Sequence, residues 1–331
     1  MSNPIQGIGL FSGGLDSILA VRVLLEQGLH VEALHIVLPV HRPELRAWVE
    51  EAAASLGVPL HVIVLEQEFF DILRHPRHGY GSGMNPCVDC HVLLLRQAAE
   101  RMREVGAALV FTGEVLGERP FSQHRAALEL VERKAGLEGR LLRPLSAQLL
   151  PPTIPEQEGL VDRSRLLAIQ GRWRQPQKEL ARRYGIERYP LPAGGCFLTN
   201  RELARRVRDL LEYTPDFTRG DFDLVRLGRH FRLSPTVKIV SGRDESENRR
   251  IVALAQEGDL LFEVGGLGSP VTLLRGPADD EGIRIAAAIT ARYSDARTDP
   301  VAVRYGPVYG RLEQAIAVER AREELLARLR I

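Results

Sequence analysis

The string Ser12-Gly13-Gly14-Leu15-Asp16-Ser17 follows a short apolar run at Ile8–Phe11 and leads into an amphipathic stretch. Two adjacent glycines let the backbone turn tightly and approach a ligand with no Cβ in the way. Successive amide N–H groups, together with the N-terminus of the helix that follows, make a nest for an anion. The hydroxyls of Ser12 and Ser17 add donors. Asp16 is out of place in a purely anion-binding turn unless it serves a cation, and Mg²⁺ held against phosphates suits its hard oxygen ligands. The spacing lacks the Gly-Lys-Ser/Thr ending of a Walker loop.

The second set of reactive side chains is the three cysteines, Cys87, Cys90 and Cys196. Cys87 and Cys90 sit in Asn85-Pro86-Cys87-Val88-Asp89-Cys90 at the expected start of a helix, where thiols ionise readily and can ligate metal or exchange disulfides. An odd count in a reducing compartment argues against a disulfide scaffold. A closed zinc site normally shows four ligands. Three thiols leave four readings open: a [4Fe–4S] cluster with one free iron, a persulfide on one cysteine resolved by a second, zinc with His91 or His78 as an added ligand, or three thiols packed as small apolar residues.

The elements that must position these groups alternate. Strands are expected at Ile8–Phe11, Val31–Leu38, Leu60–Leu65 and Ala108–Thr112, with helices at Ser17–Gln27, Glu44–Leu56 and Val88–Val105. That order implies right-handed crossovers and a mostly parallel sheet covered by helices on both faces. Ligands bind such sheets at the carboxyl ends of the strands, where the Ser12 turn falls. Residues 138–165, with Pro144, Pro151, Pro152 and Pro155, read as a long surface loop. A helix over Asn200–Tyr213 is capped by Thr199 or Asn200.

After Pro215 the texture changes to short strands at Val237–Val240, Leu260–Val264 and Val271–Leu274, with helices at Ser246–Gln256, Glu281–Tyr293 and Leu312–Leu329. The expected division is therefore an α/β domain over 1–214 and a smaller α+β domain over 215–331.

The Ser12–Ser17 turn resembles the pyrophosphatase-type (PP-loop) loop of enzymes that cut ATP between its α and β phosphates. Taken with Asn85–Cys90, Thr112-Gly113-Glu114, Ser122-Gln123 and Gly195-Cys196-Phe197, the resemblance extends to the tRNA sulfurtransferases over roughly residues 7–200. The Thr-Gly-Glu stretch is similar to the 4-thiouridine synthetases, and the Asn-Pro-Cys-x-x-Cys to the 2-thiouridylases. The resemblance implies an adenine-nucleotide α-hydrolase-like fold and an enzyme that adenylates a uridine carbonyl oxygen and replaces it with sulfur, with 4-thiouridine slightly favoured over 2-thiouridine.

By the same resemblance, ATP lies against Ser12, Gly13, Gly14, Asp16, Ser17, Gly113 and Gln123. The catalytic residues are Cys196, Cys87 and Asp16, and Cys87, Cys90 and Cys196 would ligate a cluster. Two departures stand out: no RNA-binding extension precedes the loop, and a Lys expected after the second Cys is His91. Charge for the nucleotide must then come from elsewhere, with Arg96 and Arg119 as candidates. The alternative is an amidating or ligating enzyme of the same loop acting on a small acid, with the cysteines on structural zinc.

Formal net charge is only +1, which excludes a uniformly basic coat but not a local patch. Residues 160–208 carry twelve basic side chains against four acidic ones around Cys196, enough for salt-dependent phosphate affinity. Trp173, between Arg172 and Arg174, is either a stacking platform for a base or a core tryptophan. Gly242–Asn248 and Ala291-Arg292-Tyr293-Ser294 resemble the RNA-binding domain of NFACT-type proteins over about 217–307, with Arg243 and Asn248 as its leading positions. The expected partners are tRNA and a sulfur donor (a cysteine desulfurase, a carrier or sulfide), with a homodimer left open. No apolar run approaches the roughly 18–20 residues of a membrane span and no secretory signal is visible, so the cytoplasm is the expected compartment.

Overall fold

Gly9 lies opposite Phe111 in a parallel strand pair, and a Cβ at Gly9 would come within 2.4 Å of the Phe111 ring. Glycine there lets the large ring fill the centre of the first sheet, where both Ile8 and Phe111 are buried. The computed structural model describes residues 4–42, 44–190 and 196–331. It divides into two units, Met1–Thr199 and Asn200–Ile331.

In the first unit the elements run β1 (Gly7–Leu10), α1 (Leu15–Leu25), β2 (Val31–Val37), α2 (Leu45–Leu56), β3 (Leu60–Val64), α3 (Gln67–Arg74), α4 (Cys87–Val105) and β4 (Leu109–Thr112). They continue with α5 (Arg125–Ala135), β5 (Leu141–Leu142), α6 (Ile154–Gln157) and α7 (Gln175–Arg183). The strands form one five-stranded sheet in the order β3-β2-β1-β4-β5, parallel throughout. This is the α/β architecture expected. The winding reverses between β1 and β4, and a crevice opens beyond the carboxyl ends of the two strands flanking such a switch point. The Ser12 turn leaves β1 there and Gly113 leaves β4.

Helix α1 buries Leu15, Ile18, Leu19, Val21, Val23 and Leu24, so the turn that precedes it is anchored by core packing. The expected surface loop over 138–165 is corrected in part: Leu141–Ala147 is buried, and Thr153 with Glu156 forms a capping box for α6. The prolines there shape a packed connection.

The second unit begins with α8 (Arg201–Tyr213) and α9 (Arg219–Leu224), followed by β6 (Arg229–Ser234), β7 (Val237–Ser241), α10 (Glu245–Ala253), β8 (Leu260–Glu263) and β9 (Thr272–Arg275). It ends with α11 (Asp280–Arg292), β10 (Val301–Gly306), β11 (Gln314–Val318) and α12 (Glu323–Leu329). Its six strands make a separate antiparallel sheet in the order β11-β10-β8-β9-β7-β6. The unit boundary lies at Thr199/Asn200 and not near 215. Asp209 on α8 takes two hydrogen bonds from Arg232 on β6 and one from Lys238 on β7, which ties that helix to the second sheet. The single helix expected over Leu312–Leu329 is instead a strand and a short helix, because Gln314–Val318 pairs antiparallel with Val301–Tyr305.

Candidate nucleotide and thiol site

Gly13 adopts φ +69°, a left-handed conformation natural only to glycine, and a Cβ there would meet the Trp48 ring at 2.9 Å. The indole Nε1 of Trp48 donates to the Gly13 carbonyl at 2.8 Å and fixes the turn from outside. Ser17 Oγ donates to the Gly14 carbonyl at 2.8 Å, and Gly14 N donates to Ser12 Oγ at 3.3 Å. Gly14 is the N-cap residue of α1, and no side chain caps the helix. The first-turn N–H groups are therefore open to an anion.

Asp16, the second residue of α1, has one carboxylate oxygen engaged and one orphaned. Arg174 Nη2 donates to its Oδ2 at 2.8 Å, while Oδ1 is buried with no hydrogen-bond partner. Burial raises the Asp16 pKa, against the opposing pull of Arg174 and Arg119. Glu118 is raised by burial and by the Asp16 charge, and it accepts from Arg174 Nη1 at 3.1 Å. The unsatisfied Oδ1 beside an open helix N-terminus fits a cation-plus-phosphate ligand, as expected for Mg²⁺. Arg174 was not foreseen here. It arrives because Gly171 N donates to the Leu116 carbonyl at 2.7 Å, pinning the 170–174 segment beside the loop after β4.

Gly113 joins the nucleotide side to the thiol side. A Cβ on it would lie 2.5 Å from the Asp16 backbone carbon and 2.6 Å from Ser17 N, so only glycine allows this approach. The next residue, Glu114, is buried and accepts from His91 Nδ1 at 2.9 Å, Arg143 Nε at 3.1 Å and Thr112 Oγ1 at 3.1 Å. Burial works to raise its pKa, but the Arg143 charge and then His91 overcome it and hold it at about 2. His91 directly follows Cys90, so the loop, Gly113, Glu114, His91 and the thiols form one connected chain of neighbours.

The first cysteine, Cys87, opens α4, and its sulfur accepts from Asn85 Nδ2 at 3.1 Å. Burial pushes the Cys90 thiol far above the ordinary range, with Cys196 and then Cys87 adding to the effect. Cys196 reaches this group because Met84 N donates to the Leu198 carbonyl at 2.9 Å, and Gly83 packs where a Cβ would strike that same oxygen. Cys87, Cys90 and Cys196 are all partly buried, and no disulfide joins them. Among the described residues no three His, Cys, Asp or Glu side chains form a group that could hold a metal ion. Cys87 is held by Asn85. His78 and His91, the expected extra zinc ligands, each hold a carboxylate, Asp89 and Glu114.

Gln123 turns inward, its Oε1 accepting from Arg119 N at 3.1 Å, and so braces the loop over Gly117–Gln123. Arg96 donates to the Lys134 carbonyl on α5, away from the turn. Trp173 is 75% exposed, which removes its reading as a core residue. Part of the basic surplus is spent on internal pairs: Arg163 with Glu156, Arg188 with Glu51 and Arg206 with Glu202. Arg172, Lys178, Arg182 and Arg183 remain exposed beside Trp173 or along α7. In the second unit, Arg243 is paired with Glu247. Asn248 accepts from Val271 N at 2.9 Å and donates to the Ser269 carbonyl at 3.2 Å, so it braces the sheet and does not cap α10. Gly195, expected beside Cys196, lies outside the described residues.

Residues 5–148 match the family model described as thiamine biosynthesis protein (ThiI), and residues 228–329 match the NFACT protein RNA binding domain. Among curated relatives, a tRNA-specific 2-thiouridylase MnmA of Nitratidesulfovibrio vulgaris is 29% identical over 220 residues, covering 60% of this chain and 57% of its own. Another MnmA, from Trichlorobacter lovleyi, is 28% identical over 157 residues, 43% of each chain. A third, from Sulfurimonas denitrificans, is 32% identical over 112 residues, 32% of this chain and 33% of its own. The chain thus spans from a third to somewhat over half the length of these relatives. A solved structure titled as a predicted subunit of tRNA methyltransferase from Methanocaldococcus jannaschii aligns with 42% of this chain and 67% of its own, at 22% identity and a TM-score of 0.33. A likeness that low adds nothing to the fold seen here. The first unit carries a ThiI-type PP-loop domain, and the second an NFACT-type RNA-binding domain.

Proposed function

We propose that this chain is an ATP-dependent tRNA sulfurtransferase that converts a uridine to thiouridine in the cytoplasm. One observation carries the reading: an uncapped, glycine-built anion turn stands one residue-to-residue chain away from three neighbouring thiols, through Gly113, Glu114 and His91. ATP places its β and γ phosphates on the Ser12–Ser17 turn, and Asp16 would hold a Mg²⁺ ion that would neutralise the phosphates. The uridine carbonyl oxygen attacks the α phosphate and pyrophosphate leaves. The RNA-binding match over 228–329 and the exposed Trp173 beside basic side chains support an RNA substrate whose target base is unstacked.

Sulfur transfer is assigned to the thiols themselves. A persulfide, formed when the Cys196 thiolate takes the outer sulfur of an external donor persulfide and leaves that donor as a thiol, attacks the adenylated carbon through its terminal sulfur, and AMP leaves with the oxygen. The Cys87 thiolate then attacks Cys196 Sγ, breaking the S–S bond to the base. This releases thiouridine and leaves a Cys87–Cys196 disulfide, which an external dithiol must reduce. Asn85 Nδ2 donates to the Cys87 sulfur at the start of α4, which holds that side chain in place for the resolving step.

Thiolation at position 4 follows the Thr112-Gly113-Glu114 stretch and the ThiI match. The names of the curated relatives favour position 2 as the second reading. A structural-zinc ligating enzyme has less support, since His78 and His91 are taken up by carboxylates. The test is AMP and pyrophosphate release from the purified chain with ATP and Mg²⁺: release that requires added tRNA supports the reading, and release driven by a small carboxylic acid contradicts it.

A further inference from the structure

The PP-loop resemblance calls for a lysine after the second cysteine, and this chain has His91 there, committed to Glu114. Its only lysines are Lys134, Lys178 and Lys238, and Arg96 is bound to the Lys134 carbonyl. A cation is nevertheless in place. Arg174 bridges two acids that leave different strands, with Nη2 on Asp16 after β1 and Nη1 on Glu118 after β4. Its side chain is only 23% exposed.

We propose that Arg174 is the polyphosphate-facing cation of this site, held on Asp16 while the site is empty and handed to the nucleotide when Mg²⁺–ATP arrives. The inference rests on the nucleotide reading above. Asp16 cannot serve the magnesium ion fully while a guanidinium covers Oδ2, yet its Oδ1 is already buried without a partner. The two pairings exchange on binding: Asp16 would turn its carboxylate to the metal, and the freed Arg174 guanidinium takes phosphate oxygens at the open N-terminus of α1. Arginine suits that role because its planar fork meets two phosphate oxygens at once. Without the exchange, Asp16 and Glu118 would repel the incoming anion. Glu118 then sets the strength of the latch, since it holds the same guanidinium from the other side.

The experiment measures equilibrium binding of Mg²⁺–ATP and of adenosine, by calorimetry, to the full chain and its variants. Arg174→Ala is expected to weaken Mg²⁺–ATP about tenfold or more while leaving adenosine within about twofold, since only the phosphates meet the guanidinium. Arg174→Lys recovers part of the loss. Glu118→Gln tightens Mg²⁺–ATP several-fold by loosening the latch. Equal loss for both ligands, no loss in either Arg174 variant, or weaker ATP binding in Glu118→Gln each overturns the hand-off alone. Should Arg174→Ala fail to fold, the Lys and Glu118→Gln variants still decide. Absence of Mg²⁺–ATP binding to the unaltered chain removes the nucleotide reading itself, and the hand-off with it.

Discussion

The backbone of Asp16 passes so close to Gly113 that a Cβ on the glycine would stand 2.5 Å from the Asp16 carbonyl carbon. This approach couples the phosphate-binding turn to the loop that carries Glu114 and, through it, to His91 and the thiols. Gly113→Ala should push the turn away from β4. Overpacking of this kind costs about 1–3 kcal/mol, so a lower Tm together with weaker ATP binding is expected. Unchanged ATP affinity would show that the approach is incidental to the site.

The thiols should separate from the nucleotide chemistry. Cys196→Ser and Cys87→Ser are expected to abolish thiouridine formation while tRNA-dependent pyrophosphate release continues, because neither sulfur belongs to the phosphate turn. Quantifying pyrophosphate and thiolated nucleoside in the same reactions checks this. Loss of both products together would mean that the cysteines serve the fold or the nucleotide instead.

Acid should act through Glu114. Its pKa in the folded chain is held at about 2, below the ordinary glutamate value of 4.5. The stability gained from its charged form is therefore complete above about pH 4.5 and is lost as pH falls toward 2. Glu114→Gln should cost on the order of 3 kcal/mol at neutral pH, since it breaks a buried pair with Arg143 and His91. The Tm difference from the unaltered chain should narrow as pH is lowered from 5 to 2.5. A difference independent of pH would contradict the assignment.

Much of this site was legible because its parts are contiguous strings. Six residues between a strand and a helix announce the turn, and a Cys-x-x-Cys before an amphipathic run announces the start of α4. Arg174 was hidden because it meets Asp16 across 158 residues, and nothing local marks an arginine as bound for a distant carboxylate. Trp173 stays open between core and surface in the sequence because flanking arginines do not tell an exposed ring from a packed one. The tail over Leu312–Leu329 carries helical spacing of apolar residues, yet its first half pairs with β10, a tertiary contact that overrides local pattern. The buried run Leu141–Ala147 was masked by the prolines around it.

RNA binding should divide along the same lines. Trp173→Ala removes an exposed ring, so Tm should stay the same while tRNA affinity falls by about 1–3 kcal/mol if a base stacks there. Asn248→Ala should do the reverse in the second unit. Loss of its two backbone hydrogen bonds lowers Tm by an amount equivalent to about 1–3 kcal/mol, with no change in the salt dependence of binding. Fluorescence titration and thermal melts on both variants give the four numbers needed.

The most direct measurement is nucleoside mass spectrometry of tRNA from cells that lack this gene and from the same cells supplied with the unaltered or Cys196→Ser protein. Loss of one thiolated uridine, restored by the unaltered protein and not by Cys196→Ser, is the predicted result. A complete set of thiolated nucleosides in the deletion, or restoration by Cys196→Ser, would contradict sulfur transfer at this site.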